Sequence, residues 1–171
     1  MGTNNIAFDK TKVYPVYILS RVVEEIKEFC TKCMPNEAIG VLLGYKLKFN
    51  NKLYTKIVDW ATGSANISPY HAEFTEGGIL EYHLFIEERY MNNKNRPHVV
   101  GVFHSHPFGT DPAFSGIDIS TFSNPLYLEN GNIFILLDPL IDAFKVFVIE
   151  KDEGNYILRE ADWCEYSPHI I

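Results

Sequence analysis

The run Val99-Val100-Gly101-Val102-Phe103-His104-Ser105-His106-Pro107 constrains this chain more than any other segment. Its apolar residues read as a buried strand, and along a strand the side chains of residues i and i+2 project from one face. His104 and His106 therefore project together. Pro107 has no backbone N–H and a fixed φ, so the chain must leave the sheet just where the two imidazoles are presented. After a Gly/Thr/Asp/Pro loop, Ser115-Gly116-Ile117-Asp118 reads as a helix start. Ser115 would be its N-cap and Asp118 its third residue, where a carboxylate suits the positive end of the helix dipole. Asp118 can then turn back toward the histidines.

Taken singly, these parts have ordinary explanations: a His-x-His is often a surface pair or a buried hydrogen-bonded pair, and Ser-x-x-Asp is often only a helix cap. Taken together, two neutral imidazoles, one carboxylate and a water match the open tetrahedral arrangement of catalytic zinc, whereas structural zinc is usually closed by four protein ligands. The expected ligands are His104, His106 and Asp118, holding one Zn2+ per chain. Asp111 is the rival carboxylate, but it sits inside the Gly/Pro turn.

With these residues in view, the chain resembles the JAMM (MPN+) metalloproteases, whose pattern is a Glu on an early strand, then His-x-His-Pro, then Ser-x-x-Asp. The matching residues are Glu37, His104, His106, Ser115 and Asp118, and the segment from Met34 to Gly44 resembles the family's Glu-bearing entry into its first core strand. The resemblance covers about residues 14 to 150. One departure is visible: the family places its aspartate eleven residues after the second histidine, and here Asp118 follows His106 by twelve. Ser115 and Asp118 keep their mutual spacing, so the extra residue lies within Phe108 to Phe114. The resemblance implies that zinc lowers the pKa of a bound water, that Glu37 is the general base, and that the Ser115 hydroxyl helps polarise the scissile carbonyl of an amide bond.

The implied fold is α/β, a single-domain JAB/MPN fold with a curved mixed β-sheet flanked by helices, related in strand order to the cytidine deaminases. Length agrees with one domain over residues 1–171: at 46% hydrophobic and 14% aromatic content the chain can bury a sizeable core. A net charge of −7 argues against general nucleic-acid binding. Met1 to Lys12 are polar, so neither a signal peptide nor a transmembrane helix is expected, and a cytoplasmic protein with reduced thiols is. Cys30-x-x-Cys33 falls on one apolar helical stripe with Val22, Ile26 and Phe29, which favours core packing over redox or metal chemistry.

Along the chain, Ser20 is the expected N-cap of a helix to about Cys33, stopped by Pro35. Ala38 to Tyr45 and Leu53 to Trp60 read as strands joined by a turn over Lys46 to Lys52. Thr75 caps a helix through about Met91. Strands are expected at Ile133 to Asp138 and Ala143 to Ile149, with a short one at Tyr156 to Arg159.

For substrate, the resemblance implies cleavage of an isopeptide or peptide bond after the C-terminus of a ubiquitin-like protein, which would lie as an extended strand beside the site. The short loop Ser123 to Gly131 leaves little room for the insertion that linkage-selective eukaryotic deubiquitinases use, and Cys164 with His169 is too sparse for a second zinc site. The compact chain is similar to stand-alone prokaryotic members, which act on ubiquitin-like or sulfur-carrier proteins and occur with conjugation-pathway proteins in antiphage systems. No membrane or nucleic-acid partner is expected. Tyr70, His71 and Phe74, with Tyr82, Phe85 and Tyr90, could line a protein groove or fill the core. Two other classes stand beside this reading. A non-catalytic MPN scaffold would usually have lost a ligand. A nucleobase deaminase would need His-x-Glu and Pro-Cys-x-x-Cys, and neither is expected here: Cys30-x-x-Cys33 precedes the histidines and lacks the proline.

Overall fold

A computed structural model describes residues 13–168. The polar N-terminal segment 1–12 and His169 lie outside the described residues. The elements run β1 (Val16–Leu19), α1 (Ser20–Cys33), β2 (Ile39–Phe49), β3 (Lys52–Ala61), β4 (Ala65–Ser68), β5 (His71–Phe74), α2 (Glu76–Arg89), β6 (His98–Ser105), α3 (Gly116–Phe122), β7 (Ile133–Asp138), β8 (Ala143–Asp152), β9 (Asn155–Glu160) and β10 (Trp163–Tyr166). Eight strands form one mixed sheet in the order β10-β1-β3-β2-β6-β7-β8-β9, and β4 pairs with β5 in a separate hairpin. The two edge strands, β9 and β10, are joined only by residues 161–162. So short a link cannot cross a flat eight-stranded sheet, and the sheet must curl until its edges approach.

Each face of the curl holds its own core. On one, the α1 stripe of Val22, Val23, Ile26 and Cys30 packs against Ile18, Leu42, Ile57, Phe103, Ile133, Ile135 and Val146. On the other, Tyr82 and Ile86 of α2 and Ala72 and Phe74 of β5 cover Ile39, Val41, Leu43, Val102 and Phe134. Flanked on both faces, β7 has no exposed residue, as its apolar run Ile133 to Leu137 requires. The expected α/β fold with a curved mixed sheet is the one observed.

Several boundaries differ from the sequence reading. Ser20 does not cap α1: Leu19 occupies the N-cap position, and the Ser20 hydroxyl instead donates to the Tyr166 carbonyl of β10. Lys46 to Lys52 is not a turn, because β2 and β3 extend through it as a hairpin whose corner is only Asn50-Asn51. Both asparagines have positive φ, 48° and 61°, as a two-residue hairpin turn demands. Helix α2 starts as expected, with the Thr75 side chain accepting the Gly78 N–H, and ends two residues early at Arg89. Strands β1, β4, β5 and β10, four residues each, carry too short a pattern to be read in isolation. Among the described residues no helix is long and apolar enough to cross a membrane.

Candidate metal centre

The site sits where β2 begins and β6 ends. These strands are antiparallel with Ile39 opposite His104, and continuing that register brings Glu37 opposite His106. A bulge between Leu42 and Leu43 resets the alternation of β6. Val102 consequently faces the α2 side, and His104 and His106 follow it there. Ser105, between them, turns to the α1 side. Its hydroxyl accepts the Ala38 N–H at 2.8 Å while its own N–H donates to the Ala38 carbonyl at 3.0 Å, tying the residue after Glu37 to the residue between the histidines.

The fourth residue arrives on α3. Ser115 caps this helix reciprocally: its Oγ accepts the Asp118 N–H at 3.1 Å, and Asp118 Oδ2 accepts the Ser115 N–H at 2.6 Å. The same carboxylate reaches back, Oδ1 to His104 Nε2 at 3.2 Å and Oδ2 to His106 Nε2 at 3.2 Å. Glu37 closes the group, with Oε2 3.0 Å from His104 Nε2 and Oε1 3.7 Å from His106 Nε2. The predicted site residues His104, His106, Asp118 and Glu37 thus meet, all within 4.8 Å and at most 6% exposed. Ser115 adjoins them through Asp118. Asp111, the rival carboxylate, is on the surface in an ion pair with Lys145 at 2.6 Å.

Electrostatics set the demand for a cation. Two carboxylates and two imidazoles share a buried space, which is costly unless positive charge compensates. Burial opposes a charged His104, yet Asp118 and Glu37 outweigh it and hold this imidazole above its ordinary value. Burial likewise works against an ionised Asp118, but hydrogen bonding from His104, His106 and Ser115 prevails and keeps the carboxyl well below the usual range. Glu37 Oε2 is buried without an aligned hydrogen-bond donor. The group fits a metal ion as well as a proton: tetrahedral donors about 2.0–2.1 Å from one centre lie about 3.3 Å apart, close to the spacings here.

Phe108, which the sequence reading did not single out, borders the group, and Asp138, likewise not singled out, accepts the Phe108 N–H. The Phe108 ring stacks on His106 with centroids 5.1 Å apart, and the exposed Tyr70 ring follows at 5.9 Å. Of the other aromatics considered for a groove, Phe74 and Tyr82 are core, and the Tyr90 hydroxyl donates to buried Asp59 at 2.5 Å. Cys30 is fully buried and Cys33 half-buried, with burial pushing the Cys30 thiol up to about 12, so both stay protonated. His71-Ala72-Glu73 does supply the His-x-Glu half of a deaminase pattern, which corrects the expectation that neither half occurs. It lies on β5, where His71 pairs with Glu73 at 3.4 Å, whereas Cys30 packs in the core on the α1 face.

A curled α/β sheet presenting a buried His-His-Asp-Glu group from β2, β6 and α3 defines a JAB-type domain with a candidate metal centre. The profile of prokaryotic homologs of the JAB domain matches residues 19–149, and the chain belongs to that family. It is also similar to COP9 signalosome complex subunit 5 of Candida glabrata, 26% identical over 167 residues that include 90% of this chain. The chain spans 36% of that relative's length. Among solved structures it is similar to protein DSY2949 from Desulfitobacterium hafniense, with a TM-score of 0.56 at 20% identity, covering 90% of this chain and 94% of the other, a likeness of fold.

Proposed function

We propose that the protein is a zinc-dependent hydrolase that cleaves an isopeptide or peptide bond at the C-terminus of a ubiquitin-like protein. The observation that carries this reading is the burial of four potential ligands, drawn from three distant elements, around one point. His104, His106 and Asp118 would hold the ion, whose chemistry is to lower the pKa of a bound water toward neutrality and to polarise a carbonyl. Glu37 would accept the proton of the attacking water on a carboxylate oxygen and return it to the departing amine. The Ser115 Oγ accepts from Asp118, which leaves its own O–H to donate to the oxygen of the scissile carbonyl.

The test is cleavage of a ubiquitin-like protein extended at its C-terminus, with a sulfur-carrier fusion in parallel. Zinc-loaded protein should cleave, chelated protein should not, and Glu37→Gln should bind zinc yet lose about 10²- to 10⁴-fold in rate. Undiminished cleavage by verified metal-free protein would sink the proposal. Cleavage of the sulfur-carrier fusion alone would assign the site to carrier processing, and a Glu37→Gln variant that cannot hold zinc would make Glu37 a ligand rather than the base.

A further inference from the structure

Asp138, at the end of β7, is fully buried and takes no part in the chemistry above. Its Oδ2 accepts three successive backbone N–H groups, from Phe108 at 3.1 Å, Gly109 at 2.6 Å and Thr110 at 3.2 Å. Its Oδ1 accepts the Leu140 N–H at 2.9 Å. Four amide donors compensate a charge that would otherwise be expensive in the interior. Gly109, with φ of +71°, reverses the hand of the backbone between these amides, a turn that points successive N–H groups into one concavity.

The cradle is built from the residues that leave the metal group. β6 and β7 stay paired up to the second histidine, whose N–H donates to the Leu137 carbonyl at 2.9 Å. One residue further along β7, the Asp138 carboxylate takes over and holds the loop where pairing has ceased. Its first donor is Phe108, the residue whose ring stacks on the His106 imidazole. The backbone of His106 is thus fixed by Leu137 and one face of its ring by Phe108.

We propose that Asp138 is a positioning residue for the metal centre: by gathering the amides of 108–110 it seats Phe108 on His106 and keeps Nε2 of that imidazole aimed at Asp118 and Glu37. Asparagine cannot substitute, because its amide nitrogen would face either Leu140 N–H or the three loop amides, donor against donor. The proposal rests on reading His104, His106 and Asp118 as metal ligands, and its test separates the two.

Zinc affinity by competition titration and the visible spectrum of the cobalt-substituted protein are measured for wild type, Asp138→Asn, Gly109→Ala, Phe108→Ala, His106→Ala and Tyr90→Phe, with thermal unfolding of each metal-free protein. A Cβ at Gly109 meets nothing closer than Leu140 at 4.0 Å, so that variant perturbs φ alone and serves even where Asp138→Asn fails to fold. Asp138→Asn, Gly109→Ala and Phe108→Ala should each weaken zinc binding about 10- to 100-fold and alter the cobalt spectrum. Tyr90→Phe, which removes a half-buried hydrogen bond to Asp59 remote from the loop, should lower the unfolding temperature without changing either metal signal. Loop variants that lose thermal stability yet keep wild-type zinc affinity and cobalt spectrum would overturn the positioning role. If His106→Ala binds zinc as wild type does, it is the metal-centre reading itself that falls.

Discussion

Protons and metal should compete for the same atom of His104, and the competition has a calculable slope. His104 Nε2 faces Glu37 Oε2 and Asp118 Oδ1, which hold the imidazole above its ordinary value of 6.5. Below about pH 6.5, therefore, binding a metal ion at Nε2 must expel at least one proton, and affinity should fall about tenfold, or about 1.4 kcal/mol, for each unit the pH drops. Asp118 adds nothing to this slope, since its lowered carboxyl is already ionised there. In the metal-free protein the sign is opposite. A raised His104 contributes its stability fully below the unfolded value of about 6.5 and loses it as pH rises through the folded value, while Asp118 contributes above about pH 4 and loses its share as pH falls through its lower folded value. With free zinc set at 100 times the Kd measured at pH 6.5, the stabilisation is about 2.7 kcal/mol, or about 5–11 °C for a chain of this size. At pH 5.5 the same zinc is about 10 times Kd, worth about 1.4 kcal/mol, or about 3–6 °C. Differential scanning calorimetry in a non-coordinating buffer at the two pH values measures the difference. A zinc-induced shift that is independent of pH, or larger at pH 5.5, would refute the placement of Nε2 in the ligand set.

Three further outcomes follow from packing. A Cβ at Gly101 would lie 1.9 Å from the Ile133 carbonyl oxygen, so Gly101→Ala must push β6 from β7 just before the histidines; a loss of about 3 kcal/mol or more is expected in urea unfolding. Ile26→Ala empties a fully buried position in the core on the α1 face and should cost about 2–5 kcal/mol while leaving zinc affinity unchanged, as isothermal titration would show. Ser115→Ala removes the acceptor of the Asp118 N–H and should lower stability by about 0.5–2 kcal/mol in the same urea assay, with a reduced rate on any cleavable fusion.

What could be read without the structure was local in origin. The i, i+2 relation that points His104 and His106 the same way, the Ser115-x-x-Asp118 cap, the α1 stripe and the buried run of β7 all arise from backbone geometry within a few residues. For that reason three of the four clustered residues were legible by their chemistry, and the fourth, Glu37, came only from family resemblance. Short-range rules failed where another strand supplies the partner: Ser20 looked like a cap because nothing near it in sequence announces the Tyr166 carbonyl of β10, and Lys46 to Lys52 looked like a turn because its lysines and asparagines outnumber its apolar residues, although Leu47 and Phe49 alternate with Lys46 and Lys48 as a strand requires.

The sequence by itself therefore determined the residue types of the candidate metal group and the face on which each would stand within its own element. Only the tertiary structure decided what stands opposite. The β2–β6 register carries Glu37 to His106, the bulge at Leu42/Leu43 chooses the sheet face, and the end of β7 brings Asp138 beneath the loop that seats Phe108. Register and curl are sums over the packing of eight strands and two cores, and no window of neighbouring residues contains that sum.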